Sequence, residues 1–261
     1  MSSNYETIMV EGEGIVTLTL NRPEVHNPFD ERMIAELTLT FTKATKSKNA
    51  RVIIITGAGK SFCAGADLNW MKRMGEYSRE KNAEDAKKLS AMFQALEDIE
   101  IPTIARVNGA ALGGGAGLAC ACDFAIASED AKIGFSEVKL GLLPGVISPY
   151  VIDRIGAKRA TQLFMTGERL KADMARTLGL FDDVASLGEL DGVVDYLVKQ
   201  IISGGPEAVK ACKRLARAGA RKERPEFKKY CITAIADARA SPEGKEGVSA
   251  FLEKREPKWR S

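Results

Sequence analysis

A run of apolar residues at Arg51–Thr56, Arg-Val-Ile-Ile-Ile-Thr, constrains the fold more than any other stretch of the chain. An uninterrupted apolar strand is typical of a parallel sheet that is covered on both faces. Similar runs follow at Pro102–Val107 and Phe124–Ala127, and stretches with helical spacing lie at Phe29–Lys46 and Glu80–Ile99. This alternation of strands and helices predicts an α/β fold built on a parallel sheet.

The two ends of the chain depart from this central pattern. Ile8–Val10 and Ile15–Leu20 predict a β-hairpin, and Lys132–Phe135 predicts another short strand. After Ser148 the sequence predicts helices almost throughout, with one extended piece at Asp182–Ala185. We therefore predict a β/α core over residues 1–187 and a helical C-terminal region over residues 188–261. The helices predicted after Ser148 are Pro149–Ile155, Lys158–Met165, Lys171–Leu178, Leu190–Ile202, Pro206–Ala218, Pro225–Ala238 and Pro242–Arg255.

Composition and cysteine usage exclude several classes of protein. Hydrophobic residues make up 45% of the chain and charged residues 28%, which is typical of a soluble globular protein. The net charge of +3 is too balanced to indicate a nucleic-acid partner. The five cysteines are scattered and lack metal-ligand spacing, which indicates reduced thiols and no metal site. No stretch has the length of a membrane span or the pattern of a targeting signal, so we expect a cytoplasmic protein with no membrane partner.

A glycine-rich turn gives the first indication of chemistry. Gly113–Gly115 follows a predicted strand and opens a helix of small residues, where the backbone can approach a ligand closely. The first N–H groups of a helix are unpaired and lie at the positive end of its dipole. A second small-residue turn, Ser61–Leu68, follows the first apolar run, and Asp67 is placed to favour the first turn of the helix after it. Each turn could offer one backbone N–H to a single oxygen that gathers negative charge, which is the geometry of an oxyanion hole.

Other catalytic arrangements receive little support from the sequence. Gly57–Ser61 resembles the end of a phosphate loop, but Ile54 stands where such a loop needs a glycine. His26 is the only histidine and has no serine or cysteine partner nearby in sequence, which argues against a histidine-based triad. Cys63 lies beside the proposed oxyanion turn, where a buried small hydrophobic role is its default.

Several motifs, in the order in which they occur, resemble the crotonase (enoyl-CoA hydratase/isomerase) superfamily. The resemblance covers essentially the whole chain and implies a spiral of ββα turns with a helical C-terminal trimerisation region. It also implies assembly as a homotrimer or a dimer of trimers and an acyl-CoA thioester substrate. Coenzyme A would then be part of the substrate, and no separate cofactor is expected. The motifs are Arg22-Pro23 with Asn27, Phe62–Leu68, Asn108–Gly115 with Cys122-Asp123, Ile133–Glu137 with Gly141–Gly145, and Ala250–Arg255.

The resemblance also implies the roles of individual residues. Ala66 and Gly114 would supply the two backbone N–H groups that stabilise a thioester enolate, and Glu137 would be the acid/base. Partial burial among Phe135, Val138 and Leu140 would raise the pKa of Glu137. Gly117, Tyr150 and Trp70 are assigned to the acyl pocket, although core packing explains the two aromatic residues as well. The implied contacts with coenzyme A fall on Val25, Ala64, Asp67 and Leu68, with Phe251 and Lys254 reaching the nucleotide end from a neighbouring subunit.

Gly117 is the main departure from the pattern of the family. Its hydratases typically use two glutamates, and the first would fall at Gly117, which cannot take a proton. The usual continuation after Pro144-Gly145 is also replaced, by Val146–Tyr150. We expect a hydratase or dehydratase of a 2-enoyl-CoA that uses Glu137 as its single acid/base. The stretches Asp67–Met71 and Val146–Tyr150 resemble a subgroup that handles methylglutaconyl-type thioesters, which favours a branched acyl group.

Three alternatives stay open beside hydration. Migration of a double bond needs only one shuttling carboxylate, so an enoyl-CoA delta isomerase fits the same residues. Decarboxylation through the same enolate needs even less help from an acid or base. The third is a non-catalytic binding protein, including one that binds RNA, but the chain has no dense basic stripe.

Overall fold

The computed structural model describes residues 5–47 and 49–260. The chain divides into two compact units, Met1–Ile99 with Thr103–Val194, and Glu100–Pro102 with Asp195–Ser261. The first unit contains both β-sheets, and the second is helical. No helix in the described part of the chain is long and apolar enough to cross a membrane.

Within the described residues, ten strands form two sheets. The larger sheet has the strand order β1-β2-β3-β5-β7-β10, and the smaller has the order β4-β6-β8-β9. Strand β1 is antiparallel to β2, and the other neighbours in the larger sheet are parallel. The strands are β1 (Ile8–Glu11), β2 (Ile15–Leu20), β3 (Val52–Gly57), β4 (Ser61–Cys63), β5 (Thr103–Val107), β6 (Ala110–Leu112), β7 (Phe124–Ser128), β8 (Lys132–Gly134), β9 (Arg169–Lys171) and β10 (Asp183–Ala185).

Helices separate the pairs of strands. Side-chain caps begin several of them: the side chain of Asp30 accepts from the Met33 N–H, and that of Ser78 accepts from the Lys81 N–H. The helices are α1 (Glu31–Thr45), α2 (Leu68–Met74), α3 (Arg79–Glu97), α4 (Gly114–Ala121), α5 (Ser148–Thr166), α6 (Ala172–Leu178), α7 (Leu190–Ser203), α8 (Pro206–Arg221), α9 (Arg224–Ala240) and α10 (Pro242–Leu252), with short 3₁₀ helices at Pro23–Val25, Ser136–Leu140 and Lys258–Arg260.

From β3 to β8, consecutive strands enter the two sheets alternately, so the first unit winds as a spiral. Strand β3 lies in the larger sheet and β4 in the smaller, and the same step recurs from β5 to β6 and from β7 to β8. Strands β4 and β6 are parallel neighbours, with Ser61 opposite Ala110 and Cys63 opposite Ala111. Because both strands run in the same direction, the turns that follow them emerge side by side at one end of the smaller sheet.

The predicted elements agree with the structure except in the smaller sheet. All residues of β3 are buried, as the apolar run predicts, and the hairpin of β1 and β2 is present. The first two helices predicted after Ser148, Pro149–Ile155 and Lys158–Met165, form one element, α5, which is interrupted at Gly156, where φ is +78°. Strands β4, β6 and β9 were not predicted. Each has three residues, too few for a periodic pattern, and pairing with distant strands defines them.

Candidate active site

A cavity of about 450 Å³ in the first unit brings four of the predicted site residues together. Ala66, Gly114, Glu137 and Trp70 all line it. The rest of its wall is mostly apolar, and it includes two further polar side chains, Asn82 and Asp85. The remaining lining residues are Phe29, Met74, Ala86, Leu89 and the loop Gly141–Ile147.

Backbone pairing with Phe29 holds the turn at Ala66. The Phe29 N–H donates to the Gly65 carbonyl at 2.7 Å, and the Asp67 N–H donates to the Phe29 carbonyl at 2.8 Å. Successive N–H groups along an extended chain point in opposite directions, so the N–H of Ala66 faces away from Phe29. The N–H of Ala66 is therefore available to an acceptor on the side of the chain away from Phe29.

The turn at Gly114 lies against the same phenylalanine. Gly114 is the first residue of α4, so its N–H has no carbonyl partner within the helix. A Cβ on Gly114 would lie only 2.8 Å from Cδ2 of the Phe29 ring, so only glycine fits this close approach. The Cβ position of Gly113 lies 4.0 Å from the Cα of Gly65, which places the two turns next to each other. This placement fits the predicted pairing of their N–H groups on one oxygen.

Glu137 directs its carboxyl group to the same point. It lies half-buried in the 3₁₀ helix Ser136–Leu140, and its Oε1 is 3.1 Å from the Cβ position of Gly113. Among the described residues, its buried Oε2 has no hydrogen-bond partner. Burial raises the pKa of Glu137, as the sequence predicts. Val138 and Leu140 are exposed, however, so its burial does not come from these two sequence neighbours.

Gly117 is packed too tightly to carry a side chain. A Cβ at this position would lie 2.3 Å from Cγ2 of Ile147 and 3.3 Å from Cζ of Phe93. Ile147 lines the cavity and therefore occupies the space that a longer side chain at position 117 would need. Tyr150 stacks on Phe93 with the ring centroids 5.3 Å apart, and it lies outside the cavity lining.

The residues predicted to contact coenzyme A in the first unit have different surroundings. Val25 and Leu68 are exposed, and Ala64 is half-buried with its N–H donating to the His26 carbonyl at 3.0 Å. Asp67 is buried and caps α2, where it accepts from the N–H groups of Asn69 and Trp70. A contact of the Asp67 carboxylate with coenzyme A would compete with these bonds.

Arg22 ties the Ala66 turn to helix α1. Its guanidinium pairs with Asp67 at 2.8 Å and with Asp30, the cap of α1, at 3.0 Å. Burial alone would raise the pKa of Asp67, but the hydrogen bonds from Arg22 and from the two backbone N–H groups outweigh it and lower that pKa. Asp67 is therefore held as a carboxylate directly after Ala66.

Phe251 and Lys254 belong to the second unit. Both are exposed, Phe251 near the end of α10 and Lys254 just after it with a φ of +54°. Their contact with coenzyme A bound to a neighbouring subunit stays a prediction.

The nucleophile candidates lie outside the cavity lining. His26 does have a serine partner, which its sequence neighbourhood did not show: its Nδ1 lies 3.0 Å from Oγ of Ser61 in β4. Cys63 is fully buried, and burial raises the pKa of its thiol to about 12, which keeps it protonated. Among the described residues, no group of three or more His, Cys, Asp or Glu side chains is placed to hold a metal ion.

The sequence prediction missed Asp85, the second carboxyl group in the cavity. Asp85 continues the buried stripe of α3 that includes Met92 and Leu96, so it is a charged residue at a core-facing position. A charged residue at a core-facing position was therefore a signal in the sequence that could have identified Asp85. The Gly141–Ile147 loop was marked by its resemblance to the family motif, but its place in the cavity wall depends on tertiary packing.

A protein-family model described as enoyl-CoA hydratase/isomerase matches residues 10–261. The chain belongs to this family. A putative enoyl-CoA hydratase/isomerase (crotonase) of Legionella pneumophila, known from a crystal structure, is 43% identical with a TM-score of 0.92, over 97% of this chain and 98% of that one. The predicted crotonase-like fold and the assignment to this family of enzymes are therefore confirmed.

Two relatives match this chain over nearly its full length and over nearly all of their own. The crotonyl-CoA hydratase of Syntrophomonas wolfei is 35% identical over 98% of this chain and 99% of its own. An enoyl-CoA isomerase/hydratase of Mycosarcoma maydis is 36% identical over 94% of this chain and 92% of its own. The names of these relatives mention both hydratase and isomerase activity.

Proposed function

We propose that this protein adds water to, or removes it from, a 2-enoyl-CoA thioester, with Glu137 as its single acid/base. The observation that carries the proposal is the buried Oε2 of Glu137, which has no hydrogen-bond partner among the described residues and lies in the cavity that Ala66 and Gly114 also line. A carboxyl group with a raised pKa can both accept and donate a proton near neutral pH. The name of the Syntrophomonas wolfei relative, crotonyl-CoA hydratase, also supports hydration.

In the hydration direction, the thioester oxygen would accept hydrogen bonds from the N–H groups of Ala66 and Gly114. Glu137 would remove a proton from water as the water oxygen forms a bond to C3. As this bond forms, the electron pair of the C2=C3 bond becomes the C1=C2 bond of an enolate and the carbonyl pair moves to the thioester oxygen, which the two N–H groups stabilise. Glu137 returns the proton to C2, so one carboxyl group serves as base and then as acid. Dehydration is the same sequence reversed.

We also infer that the acyl group is branched and of the methylglutaconyl type. The stretches Asp67–Met71 and Val146–Tyr150 support this inference through their resemblance to that subgroup. Gly117 and Ile147 leave no protein carboxylate at the position of the first family glutamate. A carboxylate on the substrate itself could assist there, which a dicarboxylic acyl group provides.

Double-bond migration is the second candidate function. It needs one carboxyl group that moves a proton between two carbons, and Glu137 is such a group. The name of the Mycosarcoma maydis relative, enoyl-CoA isomerase/hydratase, supports this activity beside hydration.

Assembly, location and cofactor use complete the proposal. A homotrimer or a dimer of trimers remains the expected form, and the exposed apolar side chains of the second unit support self-association. The cytoplasmic location, the lack of a separate cofactor and the lack of a nucleic-acid partner stay predictions.

Mass analysis in deuterated water tests the function directly. The purified protein would be incubated with crotonyl-CoA, 3-methylglutaconyl-CoA and a 3-enoyl-CoA. A gain of one water on an unsaturated thioester supports hydration, and a shifted double bond without added water would make the protein an isomerase. No change in any of the three would overturn both assignments and favour decarboxylation or binding.

The Glu137→Gln variant tests the catalytic assignment. We expect turnover to fall by about 10²–10⁴, the usual contribution of a positioned acid/base. Glu129→Gln is the matched control, since Glu129 is exposed and outside the cavity lining. Unchanged turnover in Glu137→Gln would remove Glu137 from the mechanism.

A further inference from the structure

The cavity contains a second polar pair that the proposed mechanism does not use. Trp70 on α2 and Asp85 on α3 both line it, and they are only 3% and 8% exposed. Within the described part of the chain, the indole Nε1 of Trp70 is buried without a hydrogen-bond partner. The Asp85 carboxyl group lies near enough to attract this N–H, but the two groups do not reach full hydrogen-bond geometry, so an oxygen in the cavity would complete the pairing of the donor.

The two side chains are close enough to influence each other electrostatically. Burial raises the pKa of Asp85, and the negative charge of Glu31 raises it further. The indole of Trp70 and the charges of Lys88 and Lys81 act in the opposite direction without cancelling the rise. Asp85 therefore exchanges a proton more readily near neutral pH than an ordinary aspartate does. A group placed against the pair would meet an N–H donor and a carboxyl group that can accept or donate.

Asp85 does not stand in for the missing first glutamate. Phe93, whose ring lies against the Cβ position of Gly117, follows Asp85 by two turns of α3. At a rise of about 1.5 Å per residue, the two positions are about 12 Å apart along the helix. The Trp70–Asp85 pair thus marks a part of the cavity away from position 117.

We propose that Trp70 and Asp85 form a recognition site for an oxygen-bearing group on the acyl chain, a hydroxyl or a carboxyl. The indole N–H donates to that oxygen, and Asp85 shares a proton with it. The inference rests on the proposed function and names the part of the cavity that would hold such a group. A carboxyl bound here would lie away from position 117 and would not assist the chemistry there. A plain alkyl chain would offer no oxygen to this pair and would leave the indole N–H with only its incomplete contact to Asp85. Sites built to hydrogen-bond a substrate group discriminate strongly against analogues that lack it.

Specificity ratios test this proposal. The second-order rate constant kcat/KM would be measured for pent-2-enoyl-CoA, its 5-hydroxy analogue and 3-methylglutaconyl-CoA. We expect at least one oxygen-bearing substrate to exceed pent-2-enoyl-CoA by tenfold or more. The preferred substrate identifies whether the group is a hydroxyl or a carboxyl.

Two variants link the preference to the pair. Trp70→Phe keeps an aromatic ring but removes the N–H, and Asp85→Leu keeps a similar volume without polar atoms. We expect each to lower the ratio of kcat/KM for the preferred substrate to that for pent-2-enoyl-CoA by about tenfold, since a site that loses its hydrogen bond loses discrimination. Asp98→Leu makes the same substitution at the exposed end of α3 and should leave the ratio unchanged.

The outcomes separate this inference from the function on which it rests. Turnover of all three substrates with similar kcat/KM would overturn the recognition site and leave the hydratase proposal standing. A preference that survives in both variants would also overturn it. No turnover of any substrate would overturn both.

Discussion

At the scale of single residues, the burial of Glu137 sets the expected pH dependence of catalysis. Hydration needs Glu137 as a carboxylate, so kcat/KM should fall as the pH drops through its pKa. Because burial raises that pKa above the usual value of 4.5, the fall should be centred above pH 4.5. A pH profile of kcat/KM for hydration checks this expectation. A profile that stays flat down to pH 4.5 would contradict the assignment of Glu137 as the base.

The same burial has a consequence for stability. A carboxyl group with a raised folded pKa stabilises the fold below its unfolded pKa, and this contribution is lost as the pH rises through the folded pKa. The glutamine in Glu137→Gln is neutral, so the variant does not have to bury a negative charge when the pH rises. The variant should therefore gain stability relative to the wild-type protein as the pH rises above 4.5.

Gly117 provides a test of why the first family glutamate is absent. Gly117→Ala should destabilise the protein by about 1–3 kcal/mol despite alanine's better helix propensity, because its Cβ would lie 2.3 Å from Cγ2 of Ile147. Ile147→Ala opens that space, so the double variant should be more stable than the sum of the single effects by about 0.5–3 kcal/mol. Urea denaturation of the four proteins gives this coupling. Additive effects would show that Ile147 does not close the position.

At the scale of elements, the Arg22–Asp67 pair holds the Ala66 turn between α1 and α2. Asp67→Asn keeps a good helix cap but removes the charge, and we expect a loss of about 1–3 kcal/mol in the free energy of unfolding at neutral pH. The pKa of Asp67 is lowered below 3.8, so its stabilisation is present above that value and is lost as the pH falls through the folded pKa. The two proteins should converge in stability in acid.

An exposed ion pair gives the matched comparison. Lys222 and Glu226 pair on the surface of the second unit. Glu226→Gln should cost less than about 1 kcal/mol, since exposed pairs contribute little. If Asp67→Asn costs no more than this control, the Arg22–Asp67 pair does not hold the turn.

The elements also show which parts of the fold the sequence could predict. Strand β3 and helix α1 have strong periodic patterns, and their predicted positions agree with the structure within a few residues. The smaller sheet was missed because strands such as β4 and β6 consist of three residues that pair with distant parts of the chain. The two glycine turns were predicted, but their contact through Phe29 depends on tertiary packing and leaves no local pattern.

At the scale of the whole molecule, the helices of the second unit leave large apolar side chains exposed. Neither α8 nor α9 has a buried residue within the described chain. Ile232 and Ile235, three positions apart on one face of α9, are 70% and 51% exposed. Exposed apolar faces of this kind are common at protein–protein interfaces. This face therefore supports the proposed assembly as a homotrimer or a dimer of trimers.

The paired substitution Ile232→Asp with Ile235→Asp should therefore weaken self-association. Charged groups would have to lose their hydration inside the interface, which is costly when no partner charge is present. We expect sedimentation velocity to show a shift from an assembled species toward the monomer. Leu39→Asp is the matched control, because Leu39 is 48% exposed on α1 in the first unit, and it should leave the sedimentation coefficient unchanged. A wild-type protein that sediments as a monomer would contradict the predicted assembly, and an unaltered oligomer in the double variant would place its interface elsewhere.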